Sequence, residues 1–226
     1  VTEVLRVFVG RDEREPLSYE VTCRSIRAHA SRPLSIVPIG LRLLQGQHLY
    51  TRPTERRHGR LWDVISEQPM STEFSVARFW VPYLCNYEGW ALFVDGDFLF
   101  RDDIVKLFSL ADDGYAVMCV KHHFIPEEST KMDGQIQRRY RRKLWSALML
   151  FNCGHRSCAR LDLDYLNNIH RDHLHQFRWC WDSEIGELPQ QWHVIESGVS
   201  AYHFTKGTLE LGIRGSAFDD EWSSYL

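Results

Sequence analysis

The run Trp90-Ala-Leu-Phe-Val94, Asp95-Gly96-Asp97, Phe98-Leu-Phe100 sets two carboxylates one residue apart inside a stretch otherwise made of hydrocarbon and aromatic rings. Unpaired carboxylates in such surroundings are costly, so they take up protons or find a partner. A hard divalent cation binds carboxylate oxygens, cancels their charge and leaves positions open for substrate phosphates. The same spacing also suits a plain turn, with Asp95 capping it and Asp97 facing water.

Other residues carry chemistry of the same kind. His203, in Tyr202-His-Phe-Thr-Lys-Gly207, is either a third ligand, better suited to Mn²⁺ than to Mg²⁺, or a satisfied core histidine. Lys206 beside Gly207 can neutralise a phosphate that approaches the backbone closely. Arg78 lies one helical turn from Phe74 and from Val81, so it shares their inward face and either snorkels out or reaches an anion. Asp182 and Glu184 flank Ser183; they read as a helix cap or as carboxylates facing a sugar. Lys121-His122-His123 follow an apolar run and would line an acceptor site or a solvated rim. The basic run Arg138–Lys143 is a solvated loop, a holder of an anionic acceptor, or a weak peripheral contact for a membrane. His170, His173 and His175 lack metal-ligand spacing.

Elements must bring these groups together. Leu5–Gly10 reads as a first strand, and Tyr19, Cys23, Ile26 and Ala30 form one face of the following helix. Pro33–Ile39 is a second strand, and residues 42–69 are a polar surface excursion without a clear period. A helix is expected from Ser71 to Leu84, disturbed at its end by Pro82. The Trp90 strand follows, then a helix capped by Asp102, a strand at 115–120 and one ending at Asn152. A helix over 161–170, a short helix at 182–188 and a last strand at 200–204 complete the chain. Alternating strands and helices predict an α/β fold with a mainly parallel sheet flanked by helices. The ligand site then lies beyond the carboxyl ends of the strands, where Gly10, Asp95 and Val120–Lys121 all fall.

Composition sets the frame. The 226 residues suit one domain spanning 1–226; 44% are hydrophobic and 25% charged, and the net charge of −3 gives no basic excess for nucleic acid. No apolar stretch approaches the ~20 residues of a membrane helix, and the first residues lack the pattern of a signal peptide. The six cysteines show no paired spacing, which reads as reduced core thiols in a cytoplasmic protein.

The order of "VFVG", "STEFSVARFWVPYL", "WALFVDGDFLFRDDIVKLF", "WSALMLFNCG", "DSEIGEL" and "HFTKG" resembles the retaining glycosyltransferases of family 8, the glycogenin and lipopolysaccharide galactosyltransferase group, in a short bacterial form. The resemblance runs from about Val4 to Gly207. It implies a GT-A type nucleotide-diphospho-sugar transferase fold, Mn²⁺ (or Mg²⁺) as cofactor, a nucleotide-sugar donor, usually a UDP-sugar, and a glycan or glycolipid acceptor in bacterial surface polysaccharide. By resemblance Asp95, Asp97 and His203 hold the metal. Val9, Gly10, Asp12, Arg78, Asp95, Gly96, Lys206 and Gly207 meet the nucleotide-sugar, while Lys121 and His122 face the acceptor. Asp182, Ser183 and Glu184 match the family's Asp-Gln-Asp segment near the transferring sugar. Ser183 departs from the family's glutamine, Trp145-Ser146-Ala147 from its Asn-Ala-Gly, and "TKGTLE" from its Lys-Pro-Trp. Two other readings stand beside this one. A strand ending in DxD also opens the haloacid-dehalogenase-like phosphatases, and a degenerate transferase would bind nucleotide-sugar or glycan without turnover.

Overall fold

A computed structural model describes residues 4–122, 142–195 and 200–226. Strand β1 (Leu5–Gly10) is followed by helix α1 (Pro16–His29), whose proline sits in the first turn, where no backbone partner is lost. Next come β2 (Leu34–Ile39), α2 (Leu41–Gly46) and three short strands, β3 (Thr54–Arg57), β4 (Arg60–Asp63) and β5 (Gln68–Pro69). The helix α3 (Val81–Leu84), strands β6 (Trp90–Val94) and β7 (Phe98–Phe100), helix α4 (Ile104–Phe108), and strands β8 (Val117–Cys119) and β9 (Leu148–Asn152) follow. The chain continues through α5 (Leu163–Asn168), α6 (Arg171–His175), β10 (Ile185–Glu187), β11 (Ala201–His203) and α7 (Asp219–Ser223).

The main sheet has the order β10-β8-β9-β6-β1-β2. β9 runs antiparallel to both neighbours, and the other five strands share one direction, so the sheet is largely parallel. Its inner strands β6, β8 and β9 are apolar on both faces because both faces are covered. Phe8, Phe93 and Phe151 pack into one cluster with Trp80 and Trp179, while Val7, Val9, Leu92 and Val94 pack into another with Ile26 and Phe98. This arrangement places Gly10, Asp95, Val120 and the entry to β9 along one edge.

A two-stranded antiparallel ribbon completes that edge. β7 pairs with β11 so that His203 stands opposite Phe98. Beyond it, the C-terminal segment packs back on α1: Trp222 is buried against Val21, Leu99 and Phe204. Glu210 accepts from the backbone N–H groups of Leu17 (3.1 Å) and Ser18 (2.8 Å), serving as a cap for α1 from far along the chain.

Several local expectations change. Residues 42–69 carry α2 and the antiparallel meander β3-β4-β5 instead of an unpatterned excursion. Its anchor is Arg52, fully buried, whose Nη2 lies 2.7 Å from Asp63 and whose Nη1 donates to the carbonyls of Leu166 and Ile169. Residues 71–84 break into turns, a 3₁₀ turn at Ala77–Trp80 and α3, with Pro82 inside the first turn of α3 and not at a helix end. Asp103, not Asp102, caps α4 by accepting from the Val105 N–H. Residues 182–184 keep one 3₁₀ turn, because Ile185–Glu187 pair with Val117–Cys119 as an edge strand. Among the described residues no helix is long and apolar enough to cross a membrane. All six cysteines are buried and free.

Candidate functional site

Asp95 follows the last residue of β6, and its backbone N–H donates to Ala147 at the entry to β9 (2.9 Å). Gly96 turns the chain directly over β1: a Cβ there would overlap the carbonyl oxygen of Gly10. No other residue fits that crossing. The turn delivers Asp97 to the start of β7, where the register with β11 sets it beside His203. His203 Nε2 lies 3.2 Å from Asp97 Oδ1 and 4.0 Å from Asp95 Oδ2.

Arg78 neither snorkels nor points into solvent. Its guanidinium lies between the rings of Phe74 and Phe93, at 5.4 and 5.0 Å from their centroids. Its Nη1 donates to the Ser146 carbonyl (2.7 Å) and sits 2.9 Å from Asp95 Oδ1. The Ser146 hydroxyl in turn meets Nδ1 of His175 (3.0 Å).

The charges are only partly balanced. Burial raises the Asp95 carboxyl, Arg78 pulls it back, and the Asp97 carboxylate raises it further. Burial lowers His203, but Asp97 and Asp95 outweigh it, so the imidazole is raised above its usual range. Asp95 Oδ1 and Asp97 Oδ1 are nonetheless buried atoms with no aligned hydrogen-bond donor among the described residues. Asp95, Asp97 and His203 each offer one ligand atom, and these atoms lie within 4.8 Å of one another. Two under-satisfied carboxylate oxygens and one imidazole nitrogen form an oxygen-rich donor set that fits a divalent cation.

A cleft opens beside this cluster, lined by Gly10, Asp12, Glu15, Phe74, Gly96 and Asp97. Asp12 is buried and fully engaged. It accepts from the Arg14 N–H and guanidinium (2.9, 2.9 and 2.6 Å) and from the Glu73 N–H (3.0 Å). Burial would raise its carboxyl, but the Arg14 and Glu73 bonds hold it below the usual range. Glu15 behaves in the opposite way: burial, with Asp97 and Asp12 beside it, pushes it up to about 7.

The remaining expected residues divide. Val9 packs in the core, so its side chain does not reach the cleft, and only the backbone beyond it does. Lys206 is exposed on the turn after β11, where the Gly207 N–H donates to Phe204 (2.8 Å). Lys121 donates to the Ile185 carbonyl (2.8 Å). His122 does not project outward: its ring lies 4.3 Å from that of His193, and burial pushes it down to about 4. Asp182 is exposed and paired with Arg142 (2.5 Å), and Ser183 beside it is exposed in the same turn. Glu184 instead is turned inward, accepting from the Ser157 hydroxyl (2.6 Å) and the Trp181 N–H (2.9 Å), and is thereby committed to the chain's own donors. His123 and residues 138–141 of the basic run lie outside the described residues.

One buried group next to the cluster was not anticipated. His193 Nε2 lies 2.8 Å from Nδ1 of His203. Burial, with His203 and His122 beside it, holds His193 well below the usual imidazole range. The only signal in the sequence is its place between Trp192 and Val194, an apolar setting for a histidine.

Comparison with known proteins gives one sequence relative of decisive similarity. Protein CDI of Arabidopsis thaliana is 42% identical over 213 residues, covering 89% of this chain and 78% of that protein. The chain belongs to the Protein CDI family. That relative is a plant protein, whereas the sequence resemblance pointed to a short bacterial form. No family model matches the chain. Among solved structures, the galactosyltransferase LgtC, in complex with donor and acceptor sugar analogs, superposes with a TM-score of 0.57 at 12% identity, covering 98% of this chain and 95% of LgtC. The glycosyltransferase GlyE of Streptococcus pneumoniae gives 0.60 at 14% identity, covering 99% of this chain and 60% of GlyE. The bifunctional glycosyltransferase WbbM gives 0.59 at 14% identity, and the chain spans 52% of its length. This member of the Protein CDI family therefore has the GT-A glycosyltransferase fold, as its sequence led us to expect.

Proposed function

We propose that this chain is a metal-dependent, retaining glycosyltransferase of the family 8 type. It would move a sugar from a nucleotide-sugar, with a UDP-sugar as the preferred donor, to a hydroxyl of a glycan or glycolipid. The observation that carries this reading is the meeting of Asp95, Asp97 and His203 at the carboxyl edge of the sheet, beside a cleft lined by Gly10, Gly96 and Asp97. LgtC, whose chain is matched nearly end to end, holds donor and acceptor sugar analogs, which supports the same class of ligands here.

In this reading Asp95, Asp97 and His203 hold Mn²⁺ or Mg²⁺. The bound cation supplies neutralisation of the charge that builds on the diphosphate as the glycosidic bond breaks. Arg78 orients Asp95 and keeps positive charge behind it. Asp12 locks the loop after β1 to the segment at Glu73, shaping the nucleoside side of the cleft. Lys206 and Gly207, just past His203, are assigned to the diphosphate. Asp182, the exposed carboxylate of its segment, is assigned to the transferring sugar, and Ser183 beside it takes the place of the family's glutamine. Lys121 and His122 border the acceptor side. A cytoplasmic setting, with weak membrane contact through the basic run at 138–143, belongs to the same proposal.

No observation favours the phosphatase reading, since the fold matches glycosyltransferase chains. The non-catalytic reading is separated from ours by turnover. Purified protein with Mn²⁺ is incubated with UDP-glucose, UDP-galactose, UDP-N-acetylglucosamine, GDP-mannose and CMP-sialic acid, and nucleotide release is followed. We expect slow release from a UDP-sugar that disappears in Asp97→Ala. Binding of a nucleotide-sugar without release, even with acceptor glycans present, would establish a binding module instead.

A further inference from the structure

His203 presents its two ring nitrogens to different partners. Nε2 faces Asp97 Oδ1 and Asp95 Oδ2, the oxygens assigned to the cation. Nδ1 faces His193 Nε2 at 2.8 Å, and both rings are buried. For Nε2 to offer a lone pair to a cation, the single ring proton of neutral His203 must sit on Nδ1. Nδ1 then donates, and His193 Nε2 must accept.

The surroundings hold both rings in place. His193 contacts the rings of Phe98 (5.1 Å), His122 (4.3 Å) and His203 (4.9 Å), and Phe98 stacks on His203 at 4.4 Å. The backbone fixes both ends of the pair: the His203 N–H donates to Val194 (2.8 Å), and the Val194 N–H donates to Ala201 (3.1 Å). His193 Nδ1 has no hydrogen-bond partner among the described residues. A buried polar atom left unpaired is a burden on stability, and an apolar side chain at 193 would avoid it. Packing alone therefore does not account for a histidine here, whereas a need for an acceptor opposite His203 does.

We propose that His193 is a positioning residue of the metal centre, accepting the Nδ1–H of His203 so that the Nε2 lone pair is turned toward Asp95 and Asp97. This rests on the metal reading above. Ligating histidines elsewhere use a carboxylate, carbonyl or water in this place, and loss of such a partner weakens metal binding by about 10- to 100-fold.

The test titrates Mn²⁺ alone into the full chain and reads free Mn²⁺ by its EPR signal, for the wild type, Asp97→Ala, His193→Leu and His193→Gln, with the melting temperature of each recorded. Gln can place an amide oxygen near the former Nε2 and accept the same hydrogen bond. We expect wild-type binding that Asp97→Ala loses, a 10- to 100-fold weakening in His193→Leu, and recovery of most of that loss in His193→Gln. No Mn²⁺ bound by the wild type would overturn the metal reading, and this inference with it. Wild-type affinity in His193→Leu, with Asp97→Ala inactive in binding, overturns this inference alone. Should His193→Leu fail to fold, the imidazole ¹⁵N shifts of wild-type His203 with Mg²⁺ decide: a proton on Nδ1 supports the assignment, and a proton on Nε2 overturns it.

Discussion

Arg78 and Asp95 show how much of the site is held by single contacts. Arg78 is 6% exposed, so removing its guanidinium leaves the Asp95 carboxylate buried without its cation. Breaking a buried pair in this way costs about 3–5 kcal/mol. We expect Arg78→Met to lower stability on that scale in chemical denaturation. Arg78→Lys should recover little, because an ammonium cannot bond Ser146 and flank Asp95 from one planar group. Asp12 makes a different prediction. Its carboxyl is held low in the folded chain, so its contribution is fully present above the unfolded value of about 4 and is lost as pH falls through the lower folded value. Asp12→Asn should lose about 1–3 kcal/mol at neutral pH, and the stability difference from wild type should shrink in acid. The DxD pair was legible in the sequence because apolar residues on both sides made its charge conspicuous. His193 was not, since its partner lies ten residues on and only the bridge between Val194 and Tyr202 brings the two rings together.

At the scale of elements, the turn from β6 to β7 is the device that makes the site. Its tightness depends on Gly96, whose added methyl would meet the Gly10 carbonyl. Gly96→Ala should cost about 1–3 kcal/mol and displace Asp97, so that Mn²⁺ binding falls more than stability does; calorimetry of fold and metal together checks this. The parallel strands β1, β2, β6 and β8 were readable from their apolar runs, whereas β10 was read as part of a short helix. The segment at 71–84 was read as one helix because its apolar residues recur every three or four positions. In the structure that spacing is met by a 3₁₀ turn and a short helix, which still sends Phe74, Ala77 and Val81 inward. The β3-β4-β5 meander escaped notice because its strands are short and polar, and its organising contact, Arg52 with Asp63, joins charged residues that carry no periodic signal. Glu184 likewise looked like a site carboxylate, and only the placement of Ser157 shows where it is spent.

For the whole molecule, the C-terminal segment and α1 pack together and support the site. The C-terminal segment, where the family resemblance ends, caps α1 through Glu210 and buries Trp222 against it. α1 in turn packs under β7 and holds it through the Thr22 hydroxyl, which bonds the Gly96 (3.0 Å) and Phe98 (2.7 Å) carbonyls. Trp222→Ala should therefore cost about 3–5 kcal/mol in unfolding experiments, while added nucleotide still raises the melting temperature of the variant as it does that of the wild type. The central claim, that this GT-A fold carries a working metal-dependent nucleotide site, is tested most directly by a thermal-shift titration with UDP, GDP and CMP, each with and without Mn²⁺. Binding to the folded state raises the melting temperature by mass action. UDP should stabilise the protein only with Mn²⁺ present, and the shift should vanish in Asp97→Ala. Absence of a shift with every nucleotide, or a UDP shift that persists in Asp97→Ala, would contradict the central claim.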